Sequence, residues 1–318
     1  MAECSLYELE GVRFGNSQNL SAATGCTVIL CPGGAVAGVD VRGGAPGTRE
    51  TDLLRPENLV EKIHAVMLAG GSAFGLDAAA GVMQYLEEAE IGFDVGVARV
   101  PIVSGAVLFD LPCGDARVRP DKAMGHAACV ASERNGFSAG SIGAGTGATV
   151  GKVFGMEHAM KGGLGYYCTK VGNLIMGAVV AVNCLGDVVD ETGAILAGAR
   201  RWETGEFMHS ERGLLRMAGG AAPAFSGNTT IGAVITNVCM TKAQATKVAS
   251  MAHDGYARTM RPSHTMLDGD TLFALSVGNV KADLSAVGAL AADATAHAVW
   301  RAVREATTVA GIKAYRDL

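Results

Sequence analysis

The sequence predicts a mixed α/β protein with strands clustered and helices packed outside them. Three observations carry this reading. Strand-like and helix-like segments alternate along the 318 residues. Hydrophobic residues make up 49% and charged residues 18%, enough for a substantial core. There are 44 glycines beside only 8 prolines, with no collagen-like period, and they sit next to strand-like runs. Glycine allows close backbone approach, so the composition points to tightly packed layers.

Each element can be read in order. TGCTVILCP (24–32) and AVAGVDVRGG (35–44) read as a hairpin turning at Pro32-Gly33-Gly34. ENLVEKIHAVMLAGG places Leu59, Ile63, Val66 and Met67 at helical spacing, although its end also reads as a strand. SAFGLDAAAGVMQYLEEAE (72–90) predicts a helix with Ser72 as N-cap. Residues 100–111 and 173–190 are strand runs. Residues 200–227 lose periodicity and end in small residues, the composition of a mobile surface segment. TTIGAVITNV then opens as a strand. Thr241-Lys242-Ala243-Gln244 is a capping box that starts a helix running to about Thr259. Residues 270–278 form another strand and 285–306 a long Ala-rich helix. No repeat or linker divides the chain, so 1–318 is expected to be one domain.

The net charge of -5 gives no basic footprint for nucleic acid, and no apolar run approaches the length of a membrane helix. The N-terminus lacks the order of a signal peptide, and eight scattered cysteines include no C-x-x-C pair. A reduced, cytoplasmic protein without a disulfide framework is expected.

Several stretches carry candidate chemistry. In GNTTIGAVITNV, Asn228-Thr229 is either a turn feeding a strand or a self-cleavage site. In the second reading the threonine hydroxyl attacks the preceding carbonyl. The freed Thr229 then carries its own base, an α-amine of pKa about 8. In LDGDTLF, Asp268 and Asp270 are either turn formers or an acid pair on one side of an extended chain. No His or Cys spacing around them suggests a metal. Asn183, ending the apolar run GAVVAVN, either ties down a turn or donates to an oxyanion. GAGTGATVGKVFG fails as a phosphate loop, with Thr146 where a glycine is required and Val153 after Lys152. Lys152 is left as either a snorkelling surface residue or a semi-buried charge.

In order, these segments resemble the P1/DmpA family of self-processing N-terminal-nucleophile hydrolases, peptidase family S58. TGCTVILCPGGAVAGVDVRGGAPGTRE, AGGSAFGLDAAAGV, RPDKAMGHAA, GSIGAGTGATVGKVFG, MGAVVAVNCLG and HTMLDGDTLFALSVG carry the likeness over nearly the whole chain. The resemblance implies a four-layer α/β/β/α sandwich and cleavage after Asn228 into parts 1–228 and 229–318. It also implies a homo-oligomer, a tetramer of such pairs, with no cofactor and no metal. The implied roles are Thr229 as nucleophile, Asn183 at the oxyanion, Lys152 as active-site lysine, and Asp268 and Asp270 as the acid pair. Threonine at 229 and this acid pair resemble the nylon-oligomer endo-hydrolase branch, and Phe109 stands where the family has a tyrosine. The implied activity is hydrolysis of a small peptide or amide through an acyl-enzyme. The alternatives are an acyltransferase of the ornithine acetyltransferase type and a non-catalytic oligomeric binding protein.

Overall fold

The computed structural model describes residues 1–216 and 227–318. Its centre is the strand Thr24–Val41, which belongs to two sheets. Residues 24–30 pair with Arg13–Asn19 on one side and Ile63–Ala69 on the other. Residues 36–41 pair instead with Thr271–Val280. The expected hairpin at Pro32-Gly33-Gly34 is therefore a bend within one continuous strand. Gly34 takes a left-handed φ of +78° and the register slips between Leu30 and Ala35. Turn-forming residues serve here to pass a strand from one sheet to the next.

The first sheet continues from Thr271–Val280 through Ile231–Val238, Leu174–Val182 and Gly163–Val171 to a short edge at Ala2–Glu3. The second runs from Ile63–Ala69 to Val103–Val107 and Thr48–Arg49. Two pairs are parallel: Ile231–Val238 with Thr271–Val280, and Ile63–Ala69 with Val103–Val107. Each is bridged by a helix, Lys242–Thr259 and Ala78–Glu88 respectively, as parallel strands require.

Side chains alternate between two cores along these strands, with the period of two that a strand imposes. Ile231, Ala233, Ile235, Phe273 and Leu275 meet Ile29, Val66 and Leu68 between the sheets. Val234, Leu272 and Ala274 point the other way, under the helices Lys242–Thr259 and Leu284–Glu305. On the far side Val28, Leu30, Ala65 and Met67 pack under Ala78–Glu88 and Lys122–Ala131. Three cores make four layers, α/β/β/α, as expected.

The double burial explains the ambiguous segment before residue 70. Ile63–Ala69 is wholly buried on both faces, so its apolar residues run together and match a helix by spacing. The region 72–90 opens as the 3-10 turn Ser72–Asp77 before the helix Ala78–Glu88, and Gly71 rather than Ser72 precedes that turn. The runs 100–111 and 173–190 shorten to Val103–Val107 and to Leu174–Val182 followed by Asp187–Val189. The Thr241 capping box is formed in full. The last long helix spans Leu284–Glu305. The weakly patterned region 200–227 holds turns and a short helix, Ser210–Arg216; its residues 217–226 lie outside the described residues.

The glycines sit where layers touch. A Cβ on Gly81 would lie 1.8 Å from the Lys122 carbonyl oxygen, and one on Gly125 would lie 1.9 Å from that of Ala78. The two helices of the outer layer therefore cross backbone to backbone. Gly125→Val is expected to force them apart and to cost about 2 kcal/mol or more, read as a lower midpoint in urea unfolding.

Among the described residues no helix is long and apolar enough to cross a membrane. All eight cysteines are free thiols; Cys4 and Cys168 face each other across neighbouring strands with sulfurs 2.7 Å apart.

Candidate active site

The five residues singled out by sequence lie around the strand start at Thr229. Asn183 follows directly on Leu174–Val182, the antiparallel neighbour of Ile231–Val238. Asp268 and Asp270 precede Thr271–Val280, its parallel neighbour. Lys152 comes from the loop after Thr149–Val150. All five are buried.

Thr229 is in the middle of a closed hydrogen-bond arrangement. Its hydroxyl donates to the carbonyl oxygen of Asn228. The same oxygen accepts the Gly269 N–H at 2.9 Å. The Thr229 N–H donates to the Asn183 carbonyl at 3.0 Å. Lys152 Nζ donates to that carbonyl and to Asn183 Oδ1, each at 3.0 Å. Lysine and threonine nitrogen thus share one acceptor. Lys152 is no snorkelling residue: it is 2% exposed, and burial pushes its ammonium down to about 8.

The Asn183 side chain makes further bonds. Oδ1 also accepts from Thr149 N at 2.9 Å, and Nδ2 donates to the Phe109 carbonyl at 3.1 Å. One N–H of the amide expected to face an oxyanion is thus engaged with Phe109. The donor on the Asn228 carbonyl is the Gly269 amide, which sequence reasoning passed over because a backbone N–H leaves no mark in the residue type.

The acid pair brackets that amide. Asp268 accepts from Leu185 N at 3.2 Å, from Thr265 N at 3.1 Å and from the Thr265 hydroxyl at 2.5 Å. Asp270 accepts from Thr230 N at 2.7 Å, and from His264 through its backbone N at 3.0 Å and ring Nδ1 at 2.8 Å. These bonds fasten both ends of Asp268-Gly269-Asp270, and none of them goes to Thr229. Burial first, then the neighbouring Asp270, pushes the Asp268 carboxyl up to about 6. Among the described residues no group of three His, Cys, Asp or Glu side chains is placed to hold a metal ion.

His264 is the second residue missed by sequence reasoning. The stretch HTMLDGDTLF put a histidine six residues before Asp270, but a lone histidine with no i,i+4 partner gave no reason to single it out.

A cleft of about 110 Å³ opens onto Asn228 and Thr229, walled chiefly by Pro46, Ser72, Phe109 and Leu267. Gly227 takes a left-handed φ of +49° against the Phe109 ring, where a Cβ would come within 2.2 Å of ring carbon. Asp110 secures the wall by accepting from Gly71 N at 2.6 Å and the Thr24 hydroxyl at 2.8 Å.

The four-layer α/β/β/α sandwich defines the class of the protein by fold, with a hydroxyl residue at the head of a central strand, pressed against its own preceding carbonyl. The profile of peptidase family S58 matches residues 5–316, and the chain belongs to that family. It is 42% identical to an uncharacterised aminopeptidase of Mycobacterium leprae, over 98% of this chain and 93% of that one. It is 33% identical to a 6-aminohexanoate-oligomer endohydrolase of Paenarthrobacter ureafaciens, over 94% of this chain and 85% of the relative. Among solved structures the L-aminopeptidase D-Ala-esterase/amidase of Ochrobactrum anthropi superposes with a TM-score of 0.69 at 17% identity, covering 93% and 85% of the two chains. That likeness shows the shared fold. The protein is an amide-bond hydrolase.

Proposed function

We propose that the chain cuts itself between Asn228 and Thr229 and then hydrolyses amides through the freed threonine. The observation that carries this is the Asn228 carbonyl oxygen, held between the Thr229 hydroxyl and the Gly269 N–H. The hydroxyl oxygen attacks the Asn228 carbonyl carbon, and the negative charge that develops on its oxygen is met by the Gly269 amide. The C–N bond breaks, the nitrogen takes up the hydroxyl proton, and an ester links Asn228 to Thr229 Oγ. Water splits the ester, leaving a carboxylate on 228 and a free α-amine on 229. Parts 1–228 and 229–318 stay together through two strand ladders, Ile231–Val238 on Leu174–Val182 and Thr271–Val280 on Thr24–Val41.

In turnover the α-amine is the base. Its nitrogen starts out on the Asn183 carbonyl, which Lys152 shares, and a neighbouring cation favours the neutral amine. The amine accepts the Thr229 hydroxyl proton as Oγ attacks a substrate carbonyl, then passes it to the leaving amine. Water deacylates the enzyme by the same route. Asn183 and Lys152 are thus holders of the base, and Asp268 and Asp270 fix the oxyanion donor. The relatives act as aminopeptidases or on 6-aminohexanoate oligomers by name. The narrow, largely apolar cleft supports a slim, unbranched acyl segment in a small peptide or linear amide. A homo-oligomer of processed pairs in the cytoplasm completes the reading. N-terminal sequencing of fresh protein tests it: a fragment beginning Thr-Thr-Ile-Gly supports it, and an indefinitely whole chain overturns it.

Lys152 provides a prediction with opposite signs for stability and rate. Its folded value is depressed, so the stability linked to it is present above about 10.5 and lost as pH falls through about 8. At neutral pH the buried cation costs on the order of 3 kcal/mol. Both Asn183 acceptors keep another donor, from Thr229 N and Thr149 N. Lys152→Met is therefore expected to melt a few degrees higher at pH 7. It should also cleave itself and its substrate about tenfold or more slowly, as scanning calorimetry and gel time courses would show.

A further inference from the structure

Behind the acid pair lies a second cluster that the proposed chemistry leaves unused. His264, His253 and Tyr256 stand together, with the two imidazole rings edge to face at 4.8 Å. His253 is fully buried and its Nε2 meets the Asp40 carbonyl at 2.9 Å, so that nitrogen carries the proton. Burial holds the His253 ring down to about 4, so it is neutral and brings no positive charge to His264. His264 adopts a left-handed φ of +57°, and this conformation brings both its backbone N–H and its ring Nδ1 onto one oxygen of Asp270. A carboxylate oxygen only accepts, so Nδ1 carries the proton. The ring's Nε2 is buried and has no partner among the described residues.

The other oxygen of Asp270 holds the Thr230 N–H, and the Thr230 carbonyl accepts from Thr271 N at 3.1 Å. The link from His264 through Asp270 to Thr230 therefore ends one residue from Thr229. We propose that His264 is a positioning residue that holds Asp270 from behind, so that Asp270 pins the strand start at Thr230 and keeps Thr229 opposite the Gly269 amide. This rests on the reading of Thr229 as the attacking residue, but the pinning itself does not. The titratable groups facing Asp270 are Asp268, His264, Tyr256 and Cys184, and those facing His264 are Asp270, His253 and Tyr256.

Two variants separate the ring's bond from its bulk. His264→Ala removes the ring donor. His264→Asn replaces it with an amide N–H, and Asn tolerates the left-handed backbone. Hydrogen exchange at Thr230 is measured by mass spectrometry in a Thr229→Ala background, where no cleavage chemistry enters. His264→Ala is expected to speed that exchange about tenfold or more, and His264→Asn to restore most of the protection. In the otherwise wild-type chain His264→Ala should slow self-cleavage by a similar factor. Should the alanine variant fail to fold, the asparagine variant carries the test: Thr230 protection and a self-cleavage rate near wild type support the proposal. Unchanged Thr230 exchange in His264→Ala overturns it, as does a folded His264→Asn that leaves Thr230 unprotected. A wild-type chain that never cleaves would sink the Thr229 reading alone, with the exchange measurement still deciding the role of His264.

Discussion

Thr229→Ala is expected to leave a single chain of 32.4 kDa with its fold intact and to lower amide hydrolysis by about 10⁴-fold or more. The hydroxyl is the group set against the Asn228 carbonyl, and no described hydrogen bond of Thr229 other than that one runs through its side chain. Its backbone bond to Asn183 and the ladder to both neighbouring strands survive the change. Thr229→Ser should still cleave, because it keeps the hydroxyl and loses only a methyl group. Intact mass and N-terminal sequencing of the three proteins give the result. Two fragments from Thr229→Ala would move the nucleophile elsewhere.

Gly269→Ala is the second large effect, and it comes from one methyl group. The residue's φ lies outside the left-handed region, so alanine suits the backbone. A Cβ, however, would sit 2.7 Å from Thr229 Oγ1 and 2.6 Å from the Ala45 carbonyl oxygen. Either the threonine hydroxyl or the Asp268-Gly269-Asp270 turn has to move, and each move separates the amide from the carbonyl it polarises. Loss of one oxyanion donor costs about 100-fold or more, and self-cleavage should slow by that factor. The melting midpoint should change far less than for Gly125→Val, since the strain is confined to one buried turn rather than spread along two crossing helices. A gel time course beside a thermal melt separates the two effects; wild-type self-cleavage in Gly269→Ala would remove the Gly269 amide from the mechanism.

The comparison of Asn183 with Gly269 shows where residue types stop being informative. Asn183 stood out as an amide at the end of an apolar strand, and its burial and dense bonding agree with that. Its partners could not be read, because they come from Thr149, Lys152 and Phe109, which are far away in sequence. Gly269 is one of 44 glycines and became visible only when the neighbouring strand placed the Asn228 carbonyl against its amide. Lys152 shows the same limit in another form. One lysine among small residues reads equally well as a surface or a buried charge, and only its burial against Asn183 decides.

Elements whose signals are local were determined by the sequence alone. The Thr241 capping box, the helix Leu284–Glu305 and the strand Thr271–Val280 follow from caps and from periodicity within one element. The α/β class followed from the alternation of such elements. The tertiary structure decided whatever depends on which face of a segment is covered. Ile63–Ala69 became a strand because both of its faces are buried, and Thr24–Val41 stayed one strand because its two halves pair with different sheets. The site belongs to the second kind. Asn183, Thr229 and Asp270 each head or end a separate strand, and they meet because those strands are hydrogen-bonded neighbours, a relation between distant segments that no local pattern encodes.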